Sequence, residues 1–345
     1  MHVATGLNDV SRTRTNVKRM GPTQLAVQHS ETAQRHGAKH LFNFGVISDV
    51  QHADIPDGAS FHGVPRYYRN AKVALARAVG AWKFANTLDF AVHFGDILDG
   101  YQPKDQAEQV LDGLLEEFDK LEKPVYHMLG NHCLYNLPRP HLNQRLGIHG
   151  PEGGGSYYAF EPHPRWRVVV VDAYDVSVLG WPESHPLHQL AVQLLAQHNP
   201  NKNKNTPPPR SSGTGQRWVQ FGGGASSAQL QWLEQQVQDA KGRAQKVMVF
   251  SHLPFMPGTC PNTCLQWRYQ ECLDIMRAAG NVVLTIAGHT HQNGYLQDEA
   301  GIHHVVLPAV LETPPGRDCY GHVEVTDKTL FLHGVDTMMS LKLPY

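Results

Sequence analysis

The sequence has no apolar run long enough to cross a membrane and almost no net charge. Its 30 Lys and Arg residues nearly balance its 31 Asp and Glu residues, which leaves a formal net charge of -1. With that balance, nothing in the composition indicates a nucleic-acid partner or an anionic membrane surface. Hydrophobic residues make up 41% of the 345 positions, a globular composition that is silent on oligomeric state.

Cysteine is also scarce. Cys260 and Cys264 lie close together, but no second close pair completes a four-thiolate zinc site. We expect a reduced, intracellular protein whose thiols are buried or incidental. A redox or metal role for the close pair is the alternative. The five cysteines are Cys133, Cys260, Cys264, Cys272 and Cys319.

The first 39 residues lack both helix and strand periodicity, and they lack the apolar core of a secretory signal. We expect a flexible tail, and an organelle-targeting segment is the alternative. No interdomain linker or internal repeat follows, so we expect one domain over residues 40–345. Cytoplasmic localisation is the default expectation.

From residue 40 the pattern alternates between strands and helices, which predicts an α/β fold. The predicted strands span 43–48, 90–94, 125–129, 157–161, 167–172, 247–251, 282–287, 304–307, 321–326 and 329–333. The predicted helices span 65–86, 105–121, 186–198, 226–240 and 266–279. The pair 157–161 and 167–172 is assigned to a second sheet, and the last three strands are expected to close the fold in antiparallel order. Residues 199–215, rich in Asn, Lys, Pro and Ser, predict a surface loop.

Five of the predicted strands end in side chains that bind metals. Because the carboxyl ends of strands form the functional edge of an open α/β sheet, we expect these side chains to meet. One such residue alone is equally typical of a turn. Seven of them on five strands favour a metal centre: Asp49, Gln51, Asp96, Asn131, His252, His289 and His291. Oxygen and nitrogen donors without thiolate suit Mn²⁺, Fe or Zn²⁺, and seven ligands imply two ions.

These residues stand in ordered motifs that resemble the signature of the calcineurin-like metallophosphoesterases. The motifs are Asp49-x-Gln51, Gly95-Asp96-Ile97-Leu98-Asp99, Gly130-Asn131-His132, Ser251-His252 and Gly288-His289-Thr290-His291. The resemblance implies a four-layer sandwich of two facing mixed β-sheets flanked by helices, with a dinuclear metal site. It also implies that Asp49, Gln51, Asp96 and His291 hold one ion. Asp96, Asn131, His252 and His289 would hold the other.

His132 follows a predicted ligand directly, so its ring can reach a phosphoryl group without binding metal. We expect it to protonate or stabilise the leaving oxygen, with Asp99 accepting a hydrogen bond from the ring, as the resemblance also implies. A buried structural histidine is the alternative.

Gln51 departs from the commonest pattern of the family, which has histidine at this place. With the motifs 44–51, 66–70, 172–175 and 180–183, it resembles the manganese-dependent ADP-ribose/CDP-alcohol diphosphatases over about residues 42–335. An amide oxygen is a harder donor than imidazole, so Gln51 favours Mn²⁺. The implied activity splits the pyrophosphate of ADP-ribose, of CDP-alcohols such as CDP-choline and of related nucleoside diphosphate conjugates. The products would be a nucleoside monophosphate and a phosphorylated sugar or alcohol.

The predicted partner is a small nucleotide substrate. Arg66 and Arg69 suit a second phosphate, although a solvated helix face is the alternative. Phe61 and Phe221 suit stacking on a nucleobase, and core packing is the alternative for each. Other functions remain open: a cyclic-nucleotide or glycerophosphodiester phosphodiesterase, a protein phosphatase, or a non-catalytic scaffold.

Overall fold

Two six-stranded β-sheets form the centre of the computed structural model, which describes residues 38–209 and 212–345. The expected flexible tail over residues 1–39 lies, apart from its last two residues, outside the described residues. The strands are β1 (His40–Ile47), β2 (Gly58–Ala59), β3 (Pro65–Arg66), β4 (Phe90–His93), β5 (Val125–His127), β6 (Tyr158–His163), β7 (Trp166–Val171), β8 (Lys246–Ser251), β9 (Val282–Ala287), β10 (Gly294–Gln297), β11 (His303–Val306), β12 (Cys319–Thr326), β13 (Thr329–Asp336) and β14 (Leu341–Pro344).

Both sheets are mixed. The first has the order β14-β13-β12-β1-β4-β5, in which β1, β4 and β5 are parallel and the other pairs are antiparallel. The second has the order β10-β11-β9-β8-β7-β6, in which β11, β9, β8 and β7 are parallel. Parallel strands place their carboxyl ends at one edge, so each sheet presents several loops on the same side.

The sheets face each other across a buried apolar layer, because alternate residues of each strand point to opposite faces. Phe44 on β1 and Phe250 on β8 have their ring centres 5.8 Å apart within this layer. The residues that alternate with them pack against helices instead. The inter-sheet layer includes Phe42, Val46, Phe90, Val92, Trp166, Val168, Val170, Met248 and Ile286.

Helices cover the outer face of each sheet. The helices are α1 (Tyr68–Ala85), α2 (Ala107–Asp119), α3 (Asn131–Asn136), α4 (Arg139–Arg145), α5 (Pro186–His198), α6 (Ser227–Gly242) and α7 (Tyr269–Ala279). Apolar residues of α1 and α2 pack on the first sheet, and those of α6 and α7 pack on the second. The predicted four-layer α/β sandwich is therefore confirmed. No helix within the described ranges is long and apolar enough to span a membrane.

Some predicted elements differ from the observed ones. Helix α1 begins at Tyr68 rather than at 65, because Pro65–Arg66 pairs with Gly58–Ala59 as a short hairpin. The expected closing strand 304–307 is β11, which lies in the second sheet, parallel to β9 and antiparallel to β10. The short helices α3 and α4 and the edge strands β10 and β14 were not predicted, since they are short and none of them contains a continuous apolar run.

Candidate metal centre

The backbone at the predicted metal site is strained. The structure describes nine non-glycine residues with positive φ, and five of them are predicted ligands. An L-residue adopts this left-handed conformation at a cost of about 1–3 kcal/mol, so surrounding contacts must hold it in place. The five are Asp49 (51°), Gln51 (42°), Asp96 (55°), His289 (71°) and His291 (61°).

Glycine is required where these loops meet. A Cβ atom on Gly130 would lie 2.0 Å from Oδ1 of Asp96. One on Gly288 would lie 2.1 Å from Oγ of Ser48. The loops after β5 and β9 therefore approach the residues that follow β4 and β1 more closely than any side chain permits.

Asp96 lies at the middle of the cluster and is fully buried. Its Oδ1 accepts the N–H of His132 at 2.8 Å, at the first turn of α3. Its Oδ2 faces Nε2 of Gln51 at 3.1 Å and Nε2 of His252 at 3.3 Å. Burial alone would raise the pKa of Asp96, but the imidazoles of His252 and His132 outweigh burial and hold that pKa below its ordinary value. The carboxylate is thus kept ionised, as a metal ligand must be.

His252 is oriented by a backbone carbonyl. Its Nδ1–H donates to the oxygen of Phe94 over 2.7 Å, which leaves Nε2 to point at Asp96. Burial lowers the pKa of His252, but the carboxylate of Asp96 outweighs it and raises the pKa to about 9. The neighbouring ring of His289 lies 5.2 Å away, and its pKa falls to about 3 because it is buried beside His252.

His291 is oriented by a carboxylate. Its Nδ1–H donates to Oε1 of Glu312 over 2.7 Å, and its Nε2 lies 3.5 Å from Oδ1 of Asp49. The Nε2 atom of Gln51 is 3.0 Å from the same ring nitrogen. Burial lowers the pKa of His291, but hydrogen bonds to Asp49 and Glu312 outweigh it and raise the pKa to about 9.

The donor set fits a divalent cation. Ligand atoms of Asp96, His252 and His289 lie within 4.8 Å of one another. Two donors that each lie about 2.1 Å from one ion are about 3.0–3.4 Å apart, which is the separation of His252 Nε2 from Asp96 Oδ2. Both His252 Nε2 and Gln51 Oε1 are buried without a hydrogen-bond partner. Buried polar atoms without a hydrogen-bond partner call for an explanation, and a bound ion between these side chains supplies one.

Asn131 is the first residue of α3 and lies beside this cluster. Its Oδ1 accepts a hydrogen bond from the hydroxyl of Tyr174 over 3.0 Å. The next residue, His132, has its Nδ1 2.8 Å from the N–H of Gly100 and 3.3 Å from Oδ2 of Asp99. The ring of His132 therefore sits against the loop that follows β4, next to the residues predicted to hold metal.

The four predicted substrate contacts separate into two pairs. Arg66 lies 3.7 Å from Asp99 and 3.8 Å from Glu312, and the ring of Phe221 lies 5.9 Å from that of His289. These two adjoin the cluster. Phe61 is fully exposed, with its one described ring contact to its neighbour His62. Arg69 pairs at 2.7 Å with Asp54 at the surface.

Sequence reasoning missed Glu312 and Tyr174. Glu312 lies six residues after the end of β11, whereas the predicted ligands were chosen from residues that directly follow a strand. Tyr174 follows β7 by three residues, so a search of this sixth strand end could have found it. Tyr174 lies outside the predicted set because a phenol is not among the carboxylate, carbonyl and imidazole donors from which that set was built.

The chain is similar to known proteins over most of its length. A family model described as calcineurin-like phosphoesterase matches residues 42–293. The chain is 46% identical over 300 residues to a manganese-dependent ADP-ribose/CDP-alcohol diphosphatase of Arabidopsis thaliana, covering 87% of this chain and 96% of the relative. It is 38% identical to the Homo sapiens protein of the same name, covering 86% and 91%. A dimetal phosphatase from Danio rerio superposes with a TM-score of 0.85 at 35% identity, covering 89% of this chain and 99% of that one.

Proposed function

Because the chain belongs to the calcineurin-like phosphoesterase family, we propose that it is a manganese-dependent diphosphatase of small nucleotide conjugates. Its substrates are ADP-ribose, CDP-alcohols and related nucleoside diphosphate conjugates. The observation that carries the proposal is the 46% identity across 96% of a relative with that activity in its name. We assign the activity to one domain over residues 40–345.

Two ions would be held by the seven predicted ligands. Asp49, Gln51, Asp96 and His291 would hold one ion. Asp96, Asn131, His252 and His289 would hold the other. When bound, the pair supplies a nucleophile at neutral pH and offsets negative charge on the phosphoryl group. The buried carboxylate of Asp96 is common to both sets, which its central position supports.

His132 and Asp99 are the proposed catalytic residues. Water loses one proton to solvent and adds its oxygen to one phosphorus of the pyrophosphate, the bridging P–O bond breaks, and the departing phosphate oxygen takes a proton. The ring of His132 donates that proton from Nε2, since its Nδ1 is engaged by Gly100 and Asp99. Arg66, beside Asp99, would bind the phosphate that is not attacked.

Product analysis tests the proposal. Metal-stripped protein is incubated with ADP-ribose and Mn²⁺, Mg²⁺ or Zn²⁺, and the products are resolved by chromatography, with CDP-choline and cyclic AMP in parallel. We expect AMP from ADP-ribose and CMP from CDP-choline, most strongly with Mn²⁺. Turnover of cyclic AMP without cleavage of either diphosphate would agree with metal-dependent phosphodiester hydrolysis. It would show that the proposed substrate class is wrong.

A further inference from the structure

Tyr174 makes one hydrogen bond through its hydroxyl, and the acceptor is a predicted metal ligand. The side chain is fully buried, and the hydroxyl donates to Oδ1 of Asn131 over 3.0 Å. Its ring also lies 6.0 Å from that of His252. An amide oxygen has two lone pairs, so a donor on one of them leaves the other free and fixes its direction.

The backbone of Tyr174 is held on both sides by a buried charge pair. Its N–H donates to Oδ1 of Asp172 over 2.9 Å, and its carbonyl accepts from Nη2 of Arg139 over 2.7 Å. Arg139 and Asp172 are both fully buried as side chains and bond directly to each other. Breaking such a pair leaves an uncompensated buried charge, so the position of Tyr174 is strongly determined.

Trp181 completes this support. Its ring face lies 4.3 Å from the guanidinium carbon of Arg139, a cation–π contact. Arg139 therefore contacts both the motif 172–175 and the motif 180–183. Neither motif contributes a residue to the proposed ligands. Arg139 lies on α4, immediately after the helix that begins with Asn131.

We propose that Tyr174 is a positioning residue that directs Oδ1 of Asn131 towards the ion it holds. The chain of contacts runs from Trp181 through Arg139 to the backbone of Tyr174 and ends at the amide. This inference rests on the proposed function, because it requires that Asn131 bind metal.

The test is a titration of metal-stripped protein with Mn²⁺ by calorimetry, followed by electron paramagnetic resonance of the spin-coupled pair. For Tyr174→Phe we expect one of the two sites to bind about 10- to 100-fold more weakly, and the other to keep its affinity. Tyr135→Phe is the matched control. Its hydroxyl lies 3.5 Å from Nδ2 of Asn131, at the far end of the same amide, so we expect a much smaller change.

A double-mutant cycle separates positioning from a general loss of structure. In an Asn131→Ala background, Tyr174→Phe should have no further effect on Mn²⁺ binding, since the amide it directs is gone. Equal weakening of both sites, an additive effect in that background, or wild-type binding in Tyr174→Phe would each overturn the inference. A wild-type protein that binds fewer than two Mn²⁺ ions would instead overturn the dinuclear centre of the proposed function. The unfolding midpoint of each metal-free variant reports whether its fold is intact.

Discussion

The backbone N–H of Gly100 donates a hydrogen bond to Nδ1 of His132 over 2.8 Å. A ring nitrogen that accepts a hydrogen bond carries no proton, so the neutral ring has its proton on Nε2. Oδ2 of Asp99 lies 3.3 Å from the same Nδ1 and has no hydrogen-bond partner. When the ring is doubly protonated, Asp99 can accept from Nδ1 in place of the Gly100 contact. The doubly protonated ring can give its Nε2 proton to a leaving group and remain a neutral imidazole, so this is the state that acts as the acid.

His132→Ala should lower kcat about 10²- to 10⁴-fold, because the leaving oxygen loses its proton donor. The affinity for Mn²⁺ should change little, since the ring is not among the proposed ligands. Steady-state kinetics and metal titration of the same preparation measure both quantities, with His62→Ala in the exposed turn as the control. Loss of metal together with activity would make His132 a ligand instead.

Gln51→His should shift the metal preference away from Mn²⁺. An imidazole is a softer donor than an amide oxygen, and it competes better for Zn²⁺. We expect the ratio of activity with Mn²⁺ to activity with Zn²⁺ to fall on the order of tenfold. Metal-stripped wild type and variant are reconstituted with each ion and assayed side by side. An unchanged ratio would mean that Gln51 does not select the metal.

Arg66 and Arg69 provide a matched pair for the second phosphate. Arg66 adjoins the cluster, whereas Arg69 is bound to Asp54 at the surface. Arg66→Gln should lower kcat/KM for ADP-ribose about 10- to 100-fold, mainly through KM, because a charged hydrogen bond to phosphate is lost. Arg69→Gln should leave kcat/KM within about twofold, since exposed ion pairs contribute little. A larger loss in Arg69→Gln than in Arg66→Gln would mean that the second phosphate binds near Arg69 instead.

Acid should destabilise the protein through His127. This ring is buried on β5 against Phe118, and burial lowers its pKa from 6.5 to about 4. Between about pH 6.5 and pH 4, His127 is protonated in the unfolded chain and neutral in the folded chain. The free energy of unfolding therefore falls as pH drops below 6.5. Between pH 7.5 and pH 5 this one group removes about 2 kcal/mol.

His127→Leu should abolish that share of the loss. Urea unfolding of metal-free protein at pH 7.5 and pH 5 measures it, and His62→Leu in the exposed turn is the control. If the variant loses as much stability as wild type between the two pH values, another group must account for the acid sensitivity.

The sheet strands that lead to the site were predictable because each is a short, bounded, apolar run. The predicted strand 282–287 is β9, and 247–251 differs from β8 by one residue. The edge strand β10 is half exposed and lacks such a run, so local pattern could not find it. The sequence also could not show to which sheet β11 belongs. The strand that follows it in sequence, β12, is in the first sheet, but β11 pairs with β9 in the second.

Residue order alone determined the donor types, because each predicted ligand follows the carboxyl end of a strand, and the parallel strands within each of the two sheets place those ends at one edge. Tertiary structure decided which atoms of those residues face one another. Glu312 reaches His291 over 2.7 Å from the connection between β11 of the second sheet and β12 of the first. Tyr174 reaches Asn131 over 3.0 Å from the loop after β7. These pairs are separated by 21 and 43 positions, and their contact depends on how the two sheets pack. Hydrogen bonds of this range carry no local pattern, and only the folded chain reveals them.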